Sequence, residues 1–471
     1  MNYRDWRHYN RNAAVVKEDS APDEAFMQRL WFEELYCNPL TLTDGRRVRV
    51  LQPGFWNRGA GPDFFHAALE DADGRLRVGA VELDLGPAQW RQHRHADNAR
   101  YDQVILQVVW RAGAREFFPA TASGGAVPQA ELSSQLKFPL AELREYFTAT
   151  VSERELGARL GRCGASLAAL TDGALLGLLR AAGEFRFAQK QKLFALRAAA
   201  LGEDQALWLG VAEALGYAQN RDIMRGLAQR LTISALRAAD RDRRREALLF
   251  GVAGFMPGER LPERLAASAY VRGLWDEWWQ HRAAWQERII PRDLWRLAGV
   301  RPLNRPERRV ALLARLAAPS AWRRFIRLAR SGETAPLRDF FTGLTHDFWD
   351  CHCTLASAPS AAAGLLGDSR LAALLFNTIW PLAAARHPDA VLAQLRAAAA
   401  GTANRHAKIA VGRLLGGHRV RGLAASLLAQ EGLLQIYRDF CLQDYTRCRD
   451  CALPELVAAR DALAEHPGIK A

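Results

Sequence analysis

Between Asn57 and Leu85 this 471-residue chain carries residues whose types and spacing can do metal chemistry. Asp63 follows a Gly-Pro corner and opens an apolar segment, and beyond Asp73-Gly74 a second, alternating segment carries Glu82 and Asp84. Side chains alternate faces along a strand, so Glu82 and Asp84 share a face, and a hairpin closed at Asp73-Gly74 brings Asp63 beside them. Three carboxylates meeting there repel one another unless a hard cation such as Mg²⁺ or Mn²⁺ sits between them. A turn and a solvated strand face account for the same three acids without any metal.

A second set follows directly, Trp90-x-x-His93-x-His95-x-Asp97-x-x-x-Tyr101. On a helix, Trp90, His93, Asp97 and Tyr101 fall near one stripe and His95 points elsewhere; if residues 91–95 are extended, His93 and His95 point together. As imidazolium, a His stabilises negative charge growing on a phosphate oxygen; as neutral imidazole it deprotonates water or ligates a metal. The third set is Cys441-x6-Cys448-x-x-Cys451, with Cys351-His352-Cys353 upstream. Three thiols plus a distant fourth ligand, Cys351, suit Zn²⁺ or an iron–sulfur cluster. Free cysteines also serve as small buried hydrophobes, the role expected of Cys37 and Cys163.

The elements that must position these residues follow from periodicity. Apolar positions at helical spacing predict a first helix over 24–36. Short alternating runs at 46–52, 64–70 and 76–85 predict an antiparallel meander, 88–101 a helix, 104–110 a buried strand, and 126–132 another short strand. The order is α-β-β-β-α-β. From about residue 135 long Ala, Leu and Arg segments at helical period take over, with no fixed repeat. The expected fold class is therefore α+β: an N-terminal α/β domain over 1–135, then a larger all-helical domain over 136–471, in one or two subdomains, ending in the Cys cluster.

Bulk properties narrow the function. Residues 1–150 hold 18 Lys and Arg against 20 Asp and Glu, while the remainder holds 46 against 31, so the net charge of +13 comes from the helical part. Such an excess holds phosphate backbones by counterion release, or reflects solvated helix faces. Trp275, Trp278, Trp279 and Trp285, interleaved with Arg272, Arg282 and Arg288, can stack bases or fill a core; Arg323, Arg324, Arg327 and Arg330 make a basic stripe. Seven cysteines, an odd number, without a leader-like start or an apolar run long enough to span a bilayer, lead us to expect a cytoplasmic protein with reduced thiols and no membrane association. No phosphate-binding loop, nucleophile elbow or HExxH motif is present, which sets aside ATPase, α/β-hydrolase and zincin chemistry.

The acidic set and the element order resemble the PD-(D/E)XK, restriction-endonuclease-like fold, in which an Asp and a Glu on adjacent strands hold the cation. The Lys of that motif is here Asp84. Over nearly its whole length the chain also resembles the bacterial family of domain of unknown function 2851. The matching blocks include EAFMQRLWFEEL at 24–35, N-x-x-x-GPDF at 57–64, G-x-VE at 79–82, the 90–101 motif, VILQVV at 104–109, RPLNRPERR at 301–309 and FNTIWPL at 376–382. That resemblance implies His at positions 84 and 107, where this chain has Asp84 and Gln107. The expected activity is metal-dependent phosphodiester hydrolysis of DNA or RNA. In that scheme Asp63, Glu82 and Asp84 hold the metal, His93 or His95 orients water, and Glu24 acts through water. The alternatives are a catalytically degenerate nucleic-acid-binding or assembly protein, and a hydrolase of small phosphorylated molecules.

Overall fold

A computed structural model describes residues 3, 6, 22–57, 59–113, 119–147, 159–401, 405–416, 426–442 and 448–465. Contacts divide the chain into two compact units. One comprises Pro22–Glu145 and Phe194–Leu382; the other comprises Met1–Ala21, Tyr146–Leu193 and Ala383–Ala471. The architecture is mixed α+β, with a curled N-terminal sheet and a helical C-terminal region.

The first unit opens with helix α1, Glu24–Phe32, which begins where the Asp23 carboxylate accepts a hydrogen bond from Phe26 N at 2.7 Å. Its buried face is Phe26, Met27, Leu30, Trp31 and Phe32. Seven strands follow: β1 (Leu40–Thr41), β2 (Arg47–Gln52), β3 (Phe55–Trp56), β4 (Phe64–Asp71), β5 (Leu76–Asp84), β6 (Val104–Val109) and β7 (Gln129–Glu131). They form one sheet in the order β1-β2-β4-β5-β6-β7, with β3 also on β4. The pairs up to β4–β5 are antiparallel, and β5–β6 and β6–β7 are parallel.

The β4–β5 hairpin closes as the sequence predicts. Gly74 adopts φ +81°, Gly74 N donates to Asp71 O at 2.9 Å, and the register pairs Phe64 with Val81. Asp63 thereby comes level with Glu82. Ala80 to Asp84 are all buried, because β5 is covered on both faces and flanked by β4 and β6. Gly79 has a steric reason: a Cβ there would stand 2.5 Å from Gln103 O and from the Ile105 side chain.

The helix expected over 88–101 is not continuous. Helix α2 covers only Gln89–Gln92; Arg94 turns left-handed at φ 58°, and two 3₁₀ turns follow at His95–Asp97 and Ala99–Tyr101. The segment is polar, and its side chains bond to nearby backbone instead of supporting a helix: Gln89 Oε1 accepts from Gly86 N at 3.1 Å and Asn98 Oδ1 from Arg100 N at 3.1 Å.

The helices of this unit include Glu203–Leu215, Arg221–Arg230, Asp242–Val252, Ala269–Trp285, Pro306–Leu316 and Pro319–Ser331. They share a buried charge network with α1. Arg197 Nε lies 2.9 Å and Arg225 Nη1 3.0 Å from Glu33 Oε2, while Glu213 Oε1 lies 3.0 Å from Arg197 Nη2 and 2.6 Å from Arg225 Nη1. Burial alone would raise the Glu33 pKa, but the two guanidiniums reverse that and hold it at about 2.

In the second unit, helix Gly164–Ala169, the part of Asp172–Leu201 up to Leu193, and helices Arg405–Leu415, Leu427–Ile436 and Leu453–Glu465 surround a core of Leu167, Leu175, Leu179, Leu433, Ile436 and Leu453. Gly432 permits the closest approach there, since a Cβ on it would fall 1.9 Å from Leu179 O. Among the described residues no helix is long and apolar enough to cross a membrane.

Candidate metal centre

The start of β4, the end of β5 and the turn after α2 meet at one point. Asp63 N donates to Glu82 Oε2 at 3.0 Å, and Leu83 N donates to Asp63 Oδ2 at 2.9 Å, so the two carboxylates are locked together across the hairpin. The interrupted helix delivers both imidazoles. His95 Nε2 stands 3.2 Å from Glu82 Oε1, and His93 Nδ1 stands 3.7 Å from Asp84 Oδ1. One ligand atom each from Asp84, His93 and His95 lies within 4.8 Å of the others.

Two buried atoms in this set make no well-formed hydrogen bond: Asp84 Oδ1, and His95 Nε2, whose 3.2 Å approach to Glu82 Oε1 is misaligned for one. Asp84 is 1% exposed and His95 4% exposed. A buried polar atom left unpaired costs about 1–3 kcal/mol, and two of them on neighbouring residues are what an electrophile between them would satisfy. The donor set fits a divalent cation: one carboxylate and two imidazoles, with Glu82 at the edge. Mixed nitrogen and oxygen donors favour Mn²⁺ or another transition metal over Mg²⁺, which prefers oxygen and keeps its waters.

The electrostatics agree with a site short of positive charge. Burial and then the Glu82 charge push Asp63 up to about 8, against the opposing Leu83 N–H. Burial and then Asp84 push Glu82 up to about 8. Burial also raises Asp84, and it lowers His95 despite the nearby Asp84 and Glu24 charges. The His95 ring is held by stacking on Tyr101, with centroids 3.9 Å apart, and by the edge of Trp90 at 5.1 Å.

Behind these groups lies a relay that sequence reasoning missed. Gln107 Nε2 donates to Asp84 Oδ2 at 2.7 Å, and Gln129 Nε2 donates to Gln107 Oε1 at 2.8 Å. Positions 84 and 107, the two departures from the family resemblance, are thus bonded to each other. Gln28 was also missed. It bridges Glu24 Oε1 at 3.0 Å and Asp63 Oδ1 at 2.7 Å, which ties Glu24 to the centre as a helical i, i+4 pair.

Other candidates have plainer places. Asn57 shapes the loop before Asp63, donating to Pro62 O at 2.9 Å and accepting from Gly59 N at 2.9 Å. Trp90 is buried, and its Nε1 donates to Ala120 O at 3.0 Å. Asp97 faces away, paired with the exposed Arg94 at 3.0 Å. Trp278 is core, packed where a Cβ on Gly251 would come within 2.1 Å of its ring, whereas Trp279 is exposed and stacked on Trp275 at 5.1 Å. Arg323 and Arg327 are exposed, and Arg330 pairs with Glu203 at 2.7 Å. Cys37, expected to be buried, is exposed at the start of the sheet region. Cys351 lies in the first unit, where its carbonyl accepts from Ser360 Oγ at 3.0 Å, while Cys441, Cys448 and Cys451 lie in the second.

A family model described as a protein of unknown function, DUF2851, matches residues 24–401. No curated protein and no solved structure matches the chain.

Proposed function

The chain belongs to the DUF2851 family, and from its own site we propose that it is a metal-dependent phosphodiesterase acting on nucleic acid. The observation that carries this reading is the gathering of Asp84, His93 and His95 ligand atoms within 4.8 Å of one another, with Asp84 Oδ1 and His95 Nε2 buried without a well-formed hydrogen bond, beside two carboxyls whose pKa values are raised chiefly by burial. We read the core as PD-(D/E)XK-like. In support, an antiparallel β2–β4–β5 set leads through a crossover to the parallel strand β6, and the acids sit at the β4–β5 hairpin as that fold requires.

Asp84, His93 and His95 would hold the cation, with Glu82 and Asp63 completing its surroundings. Such a cation supplies Lewis acidity toward a phosphate oxygen and lowers the pKa of bound water. His93 is exposed, so it would hold the cation on the side from which water approaches. His95, kept neutral by burial and fixed by Tyr101, presents Nε2 inward. Asp84 cannot provide the fixed positive charge of a motif Lys, so in this reading the cation itself would carry that role. The surplus of Lys and Arg beyond residue 150 supplies the non-specific phosphate affinity.

The test incubates purified protein with labelled single-stranded and duplex DNA and RNA, with and without Mn²⁺ or Mg²⁺, at low and moderate salt. Metal-dependent cleavage abolished by Asp84→Asn and by His95→Gln, with both variants folded, supports the proposal. Salt-sensitive retention without cleavage under any metal condition refutes it and favours a degenerate binding protein.

A further inference from the structure

The described residues hold a second gathering of metal-ligating side chains, in the other compact unit. Cys163 precedes the helix Gly164–Ala169, Cys441 ends the turn Tyr437–Cys441, Cys448 opens the turn Cys448–Asp450, and Cys451 follows it. Cys163 and Cys451 belong to one buried apolar cluster, and Cys441 packs against it. A Cβ built on Gly161 would stand 3.6 Å from the sulfurs of both Cys163 and Cys448, so those sulfurs are separated by no more than twice that distance. Burial pushes the Cys163 thiol up to about 12, and Cys441, Cys451 and Cys448 push it the same way. All four thiols are free.

Two of the sulfurs have partners that a bound thiolate would use. Arg162 N donates to Cys448 Sγ at 3.4 Å. The Arg413 guanidinium hydrogen-bonds Cys441. A cysteine serving only as a small hydrophobe gains nothing from an N–H donor or a cation at its sulfur, whereas a metal-bound thiolate gains from both.

We propose that Cys163, Cys441, Cys448 and Cys451 ligate an iron–sulfur cluster. Cys163 is the distant fourth ligand that the sequence assigns to Cys351. The spacing separates a cluster from a lone Zn²⁺ ion. Tetrahedral zinc with bonds of about 2.3 Å draws its sulfurs to about 3.8 Å from one another. Among the described residues, the trio of ligand atoms within 4.8 Å of one another is Asp84, His93 and His95, so no three of these sulfurs stand that close. A cluster distributes its thiolates over more than one iron and accepts the wider arrangement. Bound there, it joins the Cys448–Cys451 segment to the chain around Cys163, which sequence separates by nearly 300 residues.

The full chain, purified without oxygen, should contain iron and acid-labile sulfide in equal amounts and show a broad visible absorption that dithionite bleaches. Cys163→Ala and the exposed-site variant Cys448→Ala should each lose most of the iron and sulfide with unchanged far-UV circular dichroism. Cys351→Ala and Asp84→Asn should keep both, which separates this centre from the acidic one. Zinc without sulfide, neither metal after anaerobic reconstitution with iron and sulfide, full iron in Cys163→Ala, or loss of iron in Cys351→Ala would each overturn the assignment.

Discussion

Loading the acidic centre with Mn²⁺ must expel protons, and the number can be worked from the geometry. Asp63 and Glu82, each pushed up to about 8, hold most of their protons at pH 7, whereas His95, lowered by burial, is already neutral. A dication beside Glu82 and Asp84 requires the paired carboxyls to ionise. Because the two are bonded across the hairpin and repel each other once charged, the release at pH 7 should be between about one and two protons. Affinity then rises about tenfold per pH unit for each proton released, that is about ten- to a hundredfold from pH 6 to 7, and levels off above about pH 8. The metal-free protein shows the other side of the linkage. These acids have folded pKa values above their ordinary 3.8 and 4.5, so the stability they contribute is complete below about pH 4 and is lost as pH rises through about 8. Mn²⁺ should therefore restore most stability on the alkaline side. Isothermal titration in two buffers of different ionisation enthalpy, repeated from pH 6 to 9, measures both effects. A constant dissociation constant, with heats that do not depend on the buffer, would refute the reasoning.

Two further outcomes follow from neighbouring contacts. Gln107→Leu removes the donor that orients Asp84 and should weaken Mn²⁺ binding by about ten- to a hundredfold, read by the same titration; it also strands Asp84 Oδ2 and Gln129 Nε2 in the interior and should lower the stability of the metal-free protein by about 1–3 kcal/mol. Glu33→Gln leaves Arg197 and Arg225 buried with one carboxylate between them and should cost about 3–5 kcal/mol, measured as a shift of the urea midpoint at constant slope; a shift under about 1 kcal/mol, the size of an exposed pair, would contradict the network.

Much of this was legible in the sequence, for physical reasons that differ between elements. Strands β2, β4 and β5 begin and end within a residue or so of the alternating runs, because period-two burial and the Asp73-Gly74 turn are local signals. The convergence of Asp63 with Glu82 followed from the same hairpin. The segment after Gly86 misled, since its helical spacing was real but lacked an apolar face to hold a helix past Gln92. That break is what turns His95 inward beside Glu82. The contacts of Gln107, Gln129 and Cys163 were out of reach because their partners lie 22 or 23 positions away for the glutamines and 278 to 288 for the cysteine, along a chain in which both residue types have many ordinary uses.

Helix α1 meets two different demands along a single rod. One end offers Glu24 and Gln28 to the acidic centre, and Glu33 at the other end is gripped by guanidiniums contributed from beyond residue 190. A fragment cut after the last strand would carry every acid and imidazole of the centre, yet Glu33 would be a stranded anion with nothing to neutralise it. The sheet region is therefore a poor unit for excision or transplantation, and a compact reagent built from it would have to include the Arg197 and Arg225 helices or replace Glu33 with an apolar side chain.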